Sequence, residues 1–271
     1  MRNQYQRILF APFAFLRFTM CFVIVCAATL ASSAQYFTID TLKGDSPYNQ
    51  DFSFIFPYLK SADKQAIADD INREMMKQVL NMELGQQQRS VFENIWGKKE
   101  LDVAAVSNIA FKVSNNDADF VSLSIAATYC SGTCVDSVNY YNYDSHTGKS
   151  FSMSDLMTGS KLDMLRDSLK AAQQRRIHVY TDSLQYAINK KPLSDDDKRD
   201  YKRAIDAYTQ CANSINPNLS FSLSKSKLTI HATQCLPFEL HFLDKVSGDY
   251  VFEINYLKDY LTDYGKAILQ P

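Results

Sequence analysis

The sequence predicts an α+β domain, antiparallel sheets packed with amphipathic helices, and three observations point there. Short segments rich in Phe, Tyr, Val and Ile alternate apolar and polar residues towards both ends of the chain, as half-buried antiparallel strands do. Between these groups lie long stretches whose apolar residues return every three to four positions, the period of an amphipathic helix. Composition agrees: 17 Phe and 16 Tyr against 8 Gly make a chain rich in sheet formers and poor in flexible linkers.

Residues 1–34 read as a signal peptide. Arg2, Arg7 and Arg17 precede the apolar run 18–30, and Ala31-Ser32-Ser33-Ala34 follows it. The run is shorter than the roughly 20 residues a membrane-spanning helix needs, so cleavage between Ala34 and Gln35 and export to the periplasm or cell surface are expected, with no stable membrane span left. Cys26 follows Val23-Ile24-Val25, without the small residue that a lipoprotein signal places before its cysteine. Cleavage removes three of the 29 basic residues and no acid, leaving 26 against 30 and a net charge of −4. No basic stripe remains, which argues against a nucleic-acid partner.

Residues 35–50 read as a polar lead. Phe52, Phe54 and Phe56 then alternate on one face of a strand that Pro57 ends. Ser61 opens a helix in which Ile67, Ile71, Met75 and Val79 recur every four residues, so Met75 and Met76 read as core rather than as soft-metal ligands. Residues 85–99 form a loop or short helix around Val91, Phe92, Ile95 and Trp96. Strands at 111–113 and 120–125 flank Asn115-Asn116-Asp117-Ala118-Asp119, whose Asn and Asp suit a tight turn. A third strand at 138–143 completes an antiparallel meander with local connections. Its alternation puts Val138, Tyr140 and Asn142 on one face and Asn139, Tyr141 and Tyr143 on the other. Gly148 suits the positive φ of the following turn, and Ser154 is expected to cap a helix that carries Asp155 near its positive end.

Leu162, Leu165, Leu169, Ala172, Ile177, Tyr180 and Leu184 mark a helix over 161–188. Ser194 then caps a second one ending near Cys211, with Asp195, Asp196 and Asp197 in its first turn rather than in a calcium loop. Residues 161–211 form a helical insertion in a domain spanning 51–265. Strands follow at 219–223, 228–232, 238–243 and 250–254, then an amphipathic segment at 256–264.

Four cysteines survive cleavage: Cys130, Cys134, Cys211 and Cys235. An even number in an exported chain reads as two disulfides, for which three pairings exist. Cys130 and Cys134 are close enough to pair across a Gly turn, which leaves Cys211 with Cys235, a closure that contributes roughly 3 kcal/mol on the chain-entropy model. A zinc site lacks the usual close spacing in its second half, and neither a metal nor a cofactor is expected.

Chemistry is sparsely written. The histidines are His146, His178, His231 and His241, and no His-Glu-x-x-His, Gly-x-Ser-x-Gly or phosphate-cradling loop occurs. If 228–232 and 238–243 form a hairpin about Gln234 and Cys235, then His231, Glu239 and His241 face outward with His231 near Glu239. Such a pair suits metal binding or proton transfer, and it equally suits the wet face of a half-buried sheet.

In order along the chain, Phe52 to Pro57, the helix bearing Ile71-Asn72, the strands at 111–127, Asn142-Tyr143-Asp144 with Thr147-Gly148-Lys149, Asp155-Leu156, and Tyr250 through Leu257 with Tyr260-Leu261 form a pattern. It resembles the extracellular domain of unknown function in RsiV-type lysozyme-sensing anti-sigma factors and PdaC-type peptidoglycan deacetylases. No deacetylase segment follows Pro271, and no sigma-binding segment precedes the domain, so neither relative's whole job is carried over. The resemblance implies an exported, non-catalytic binding module for a cell-wall component or a protein such as lysozyme. Two other readings stay open: a cell-wall carbohydrate hydrolase using His231 and Glu239, and a structural envelope protein assembling through exposed tyrosines.

Overall fold

The computed structural model describes residues 36–82, 89–96, 105–131, 133–214, 219–232 and 235–269. The expected signal peptide and its cleavage point lie outside these residues, as does Gly132. The chain is α+β, as expected. Strands β1 (Thr38–Asp45), β2 (Ser53–Lys60), β3 (Ala105–Asn116), β4 (Phe120–Ser131) and β5 (Thr133–Asp144) lie side by side in that order.

Two expectations change here. The polar lead is strand β1, paired with β2 from Thr38 opposite Lys60 to Asp45 opposite Ser53. As an edge strand it has only Ile39, Asp40, Leu42 and Gly44 half-covered, and an edge tolerates that much polar sequence. Pro57 does not end β2 but sits inside it. Parallel pairing with β3 is confined to Ser53 opposite Asn108 and Phe54 opposite Ile109, so Pro57 lies where β2 has only β1 beside it and a missing N–H is tolerated. The meander of β3, β4 and β5 is antiparallel with local connections, as expected, whereas helix α1 (Gln65–Leu80) crosses between β2 and β3 and makes that pair parallel.

Helix α1 covers one face of the sheet. Ile71, Met75, Met76 and Leu80 pack into one core with Phe54, Phe56, Ile109, Leu123 and Ile125, all of them buried. Asn72 is fully buried in the same core, and its amide closes a two-way clamp on β2: Oδ1 accepts the Leu59 N–H at 2.8 Å and Nδ2 donates to the Leu59 carbonyl at 2.8 Å. Phe92 and Ile95, at the 3₁₀ turn Glu93–Ile95, seal one end of this core.

The stretch after β5 closes on itself. Asp144 Oδ1 accepts the N–H groups of His146 and Thr147, and Gly148, at φ 71°, donates to the Asp144 carbonyl at 2.8 Å. The helix that follows, α2 (Met153–Leu156), is capped by Ser152 and not by Ser154. A capping box needs an acid three positions on, and Asp155 supplies it by accepting the Ser152 N–H at 2.7 Å. Hydrogen bonds from the Ser152 side chain and backbone hold the Asp155 carboxyl below its ordinary value.

Helices α3 (Gly159–Lys190) and α4 (Asp195–Ser214) form an antiparallel hairpin over a core of their own, in which Ile177, Leu184 and Tyr208 meet Leu236, Leu240 and Leu243. Ser194 caps α4, accepting the Asp197 N–H at 3.1 Å. Cys211 and Cys235 stand at disulfide distance with Cα atoms 5.5 Å apart, and Cys130 and Cys134 do so directly across the β4–β5 ladder at 4.0 Å.

A second sheet, in the order β6 (Phe221–Ser224), β7 (Lys227–Ile230), β8 (Tyr250–Glu253), stands on the other face of the first. Its apolar side joins Leu156, Leu162, Leu165 and Leu169 from α2 and α3, and Leu269 from α5 (Asp263–Leu269). The expected strand at 238–243 is instead the 3₁₀ turn Phe238–Leu243. Leu236, Leu240 and Leu243 are buried while Phe242 is 65% exposed, so the three-to-four-residue period prevailed over the alternation, with Pro237 leading in. Among the described residues no helix is long and apolar enough to cross a membrane.

Candidate functional site

Beta-6 is an edge strand, yet its backbone is not left open. Buried Ser122 of β4 accepts the Leu223 N–H through Oγ at 2.9 Å, and buried Asn142 of β5 donates from Nδ2 to the Phe221 carbonyl at 2.9 Å. These two contacts seat β6 on the large sheet and fix Ser222 between them. One row further along, Lys112, Ser124 and Tyr140 stand directly opposite one another on β3, β4 and β5. They form the floor of a cleft of about 330 Å³.

The small sheet supplies the wall. Phe221 pairs with Ile230 and Ile230 with Tyr250, so the next residues out, Ser220, His231 and Asp249, share a row, and Ser222 projects on the same side. His231 Nδ1 lies 2.8 Å from Asp249 Oδ1 and Nε2 lies 2.9 Å from Ser222 Oγ. An ionised carboxylate only accepts, so in the neutral ring the Nδ1–H donates to Asp249 and Nε2 accepts the Ser222 O–H. The Tyr140 ring stacks on the imidazole at 3.6 Å between centroids and 4° between planes, which fixes the ring against rotation. Burial, then the Asp249 charge, raises the Tyr140 hydroxyl above its ordinary value. Ser114, Ser224 and Thr229 add hydroxyls around the rim.

The expected pairing of His231 with Glu239 is therefore corrected. The strand opposite His231 is β8, so its carboxylate is Asp249. Glu239 is exposed on the 3₁₀ turn, and His241 on the same turn donates to the Leu236 carbonyl at 3.2 Å. Sequence reasoning missed Ser222, Asp249, Lys112 and the role of Tyr140. The one available signal was the alternation of Tyr140 and Asn142 onto the face away from α1. Among the described residues no group of three or more His, Cys, Asp or Glu side chains is placed to hold a metal.

Fold and site together define a mixed α+β module in which a small sheet docks by its edge onto a larger one. Among solved structures, a DUF3298-family protein of Bacteroides fragilis NCTC 9343 shares the fold with a TM-score of 0.52 at 12% identity, covering 88% of this chain and 98% of that one. A DUF3298-family protein of Pseudomonas aeruginosa PAO1 matches with a TM-score of 0.48 at 12% identity, over 84% of this chain and 94% of that one. The likeness is one of fold, to a family whose function is unknown. No family model matches the sequence, and no curated protein does.

Proposed function

We propose that the chain is an exported binding module of the cell envelope that recognises a cell-wall component, or a protein such as lysozyme, in the cleft between the sheets. One observation carries the reading. A concave site of about 330 Å³ is lined by hydroxyls, one lysine, one carboxylate and a tyrosine held in place by stacking. Serine and threonine hydroxyls both donate and accept, as sugar hydroxyls do, and a rigid polar wall binds them with little ordering cost. The resemblance to RsiV- and PdaC-type domains supports the cell-wall assignment, and the DUF3298 fold is compatible with it. Calorimetry of residues 35–271 tests it. Peptidoglycan fragments or lysozyme bind the wild type, and Tyr140→Ala and Lys112→Ala weaken binding. A folded protein that binds neither ligand refutes the assignment.

The order Ser222, His231, Asp249 favours a second reading, hydrolysis of cell-wall carbohydrate esters. Ser222 Oγ would attack the acyl carbon while His231 Nε2 takes its proton and returns it to the leaving alcohol, and water then releases the acid. A fluorophosphonate probe would label Ser222 in the wild type and not in His231→Gln. Absence of labelling at Ser222 in folded protein removes this reading.

A further inference from the structure

A second cavity, of about 620 Å³, lies between α3 and the segment that leads into β8, on the side of the small sheet away from His231. Its volume falls within the roughly 300–1,000 Å³ range of small-molecule sites. Two helical rows form one wall: Arg175, Val179 and Ser183 at intervals of four, and beside them Ala172, Arg176 and Tyr180. Lys245 and Tyr250 form the other.

Three cations converge on this space and no carboxylate lines it. Among the described residues none of Arg175, Arg176 and Lys245 makes an ion pair. The acid next to Lys245 in sequence is turned inward, Asp244 Oδ1 accepting the Tyr208 O–H at 2.9 Å and the N–H groups of Val246 and Ser247. The Arg176 guanidinium lies 4.2 Å from the centre of the Tyr250 ring, which holds its planar fork in place while leaving its N–H groups to other acceptors. Burial raises the Tyr250 hydroxyl above its ordinary value, opposed by Arg176 and then by Arg175, so both guanidiniums act on the same end of the cavity. Tyr180 is held as well, its hydroxyl donating to the Leu243 carbonyl at 2.7 Å. Val179, 70% exposed, stands apolar at the rim.

We propose that this cavity is an anion site for an acidic sugar, a ring bearing a carboxylate or a phosphate. The anion sits between Arg175, Arg176 and Lys245, and the ring lies against Val179, Tyr180 and Tyr250. Arginine suits this because its fork meets either anion with two parallel hydrogen bonds. An aromatic-walled hollow of about 620 Å³ favours an acidic sugar of one to a few rings over an extended acidic peptide. The site is independent of the cleft at His231 and stands whether or not the cleft binds.

Calorimetric titration of residues 35–271 with trigalacturonate, glucose 6-phosphate and methyl-esterified trigalacturonate tests the proposal. One of the two acids binds, the uncharged ester binds at least about tenfold more weakly, and the stronger acid identifies the anion. Arg175→Ala and Lys245→Ala, both at exposed positions, each weaken binding by about tenfold, and affinity falls with added salt. Tyr140→Ala, in the other cleft, leaves this binding unchanged. Circular dichroism confirms that the variants fold. The proposal is overturned if neither acid binds, if the ester binds as tightly as its acid, or if a glutamate-rich peptide binds here and both sugars fail.

Discussion

On one face of the five-stranded sheet α1 lays Ile71, Met75 and Leu80 onto Phe54, Ile109 and Leu123, all fully buried. On the other face β6 meets the same sheet through Ser122 of β4 and Asn142 of β5 and stops short of the row of Lys112, Ser124 and Tyr140. A helix closes its face by filling it. An edge-on strand closes its face by hydrogen bonds, which need polar side chains on the sheet and leave more of them uncovered where the strand ends. The difference explains where a site forms: the apolar face offers a ligand nothing, whereas the polar face keeps a lysine, hydroxyls and the His231 cluster within reach of solvent.

The sharpest way to break this comparison is at the amide buried on the apolar face. Asn72→Ala strands both the N–H and the carbonyl of Leu59 in a dry core, and each orphaned group costs about 1–3 kcal/mol, so about 2–6 kcal/mol in all. Urea denaturation measures the loss, and a loss under about 1 kcal/mol would mean that water reaches Leu59. On the polar face, Ser122→Ala or Asn142→Ala releases one end of β6, at about 1–3 kcal/mol each. Because β6 carries Ser222, these variants also weaken ligand binding in the cleft, which Asn72→Ala does not once its stability is allowed for.

Alkaline pH probes the helix-covered face next. Burial pushes the Tyr141 hydroxyl from 10.0 up to about 12, and pushes Tyr143 beside it higher still; both lie on the helix-covered side. A folded pKa raised above the unfolded one makes a contribution that is complete below pH 10 and is lost as pH rises from there towards the folded value. Each such tyrosine therefore costs about 1.4 kcal/mol of stability per pH unit across that window. Urea midpoints taken from about pH 9 to 11 should fall, and Tyr141→Phe should flatten the fall. A midpoint independent of pH would place Tyr141 in contact with water.

Much of the fold was legible because its signals are local. The stripe Ile67, Ile71, Met75, Val79, the hairpin signal at 115–119, whose turn proper is 117–119, the alternation of the β5 tyrosines and the Ser194 cap on α4 each depend on neighbours within a few residues. The 238–243 segment was not legible, because Leu240 fits an alternating pattern and a helical one alike. Leu236 and Leu243, with Cys235 anchored to α4, decide between them only in the folded chain. His231 was legible as an outward-facing residue at the end of a strand. Its partners were not, since Asp249 comes from a strand beyond a 3₁₀ turn and Ser222 from the strand before, and only the register joins them. The capping residue of α2 shows the same limit at short range: Ser152 and Ser154 are both plausible caps, and the position of Asp155 selects the first.

The smallest expected effect comes from the turn that belongs to both faces. Asp144 Oδ2 accepts the hydroxyl of Tyr264 on α5 at 3.1 Å, on the side of the small sheet, while Gly148 presses against the start of α1. Gly148 sits at φ 71°, and a Cβ there would lie 3.2 Å from the Ile67 carbonyl oxygen and 3.3 Å from its Cγ2. Gly148→Ala therefore adds left-handed backbone strain and a tight contact, at a cost of about 1 kcal/mol. Both act on α1, so thermal melting should show the loss while calorimetry of the cleft ligand stays unchanged. Weakened cleft binding in Gly148→Ala would mean that α1 and the cleft move as one unit, and the contrast between the two faces would then be one of composition only.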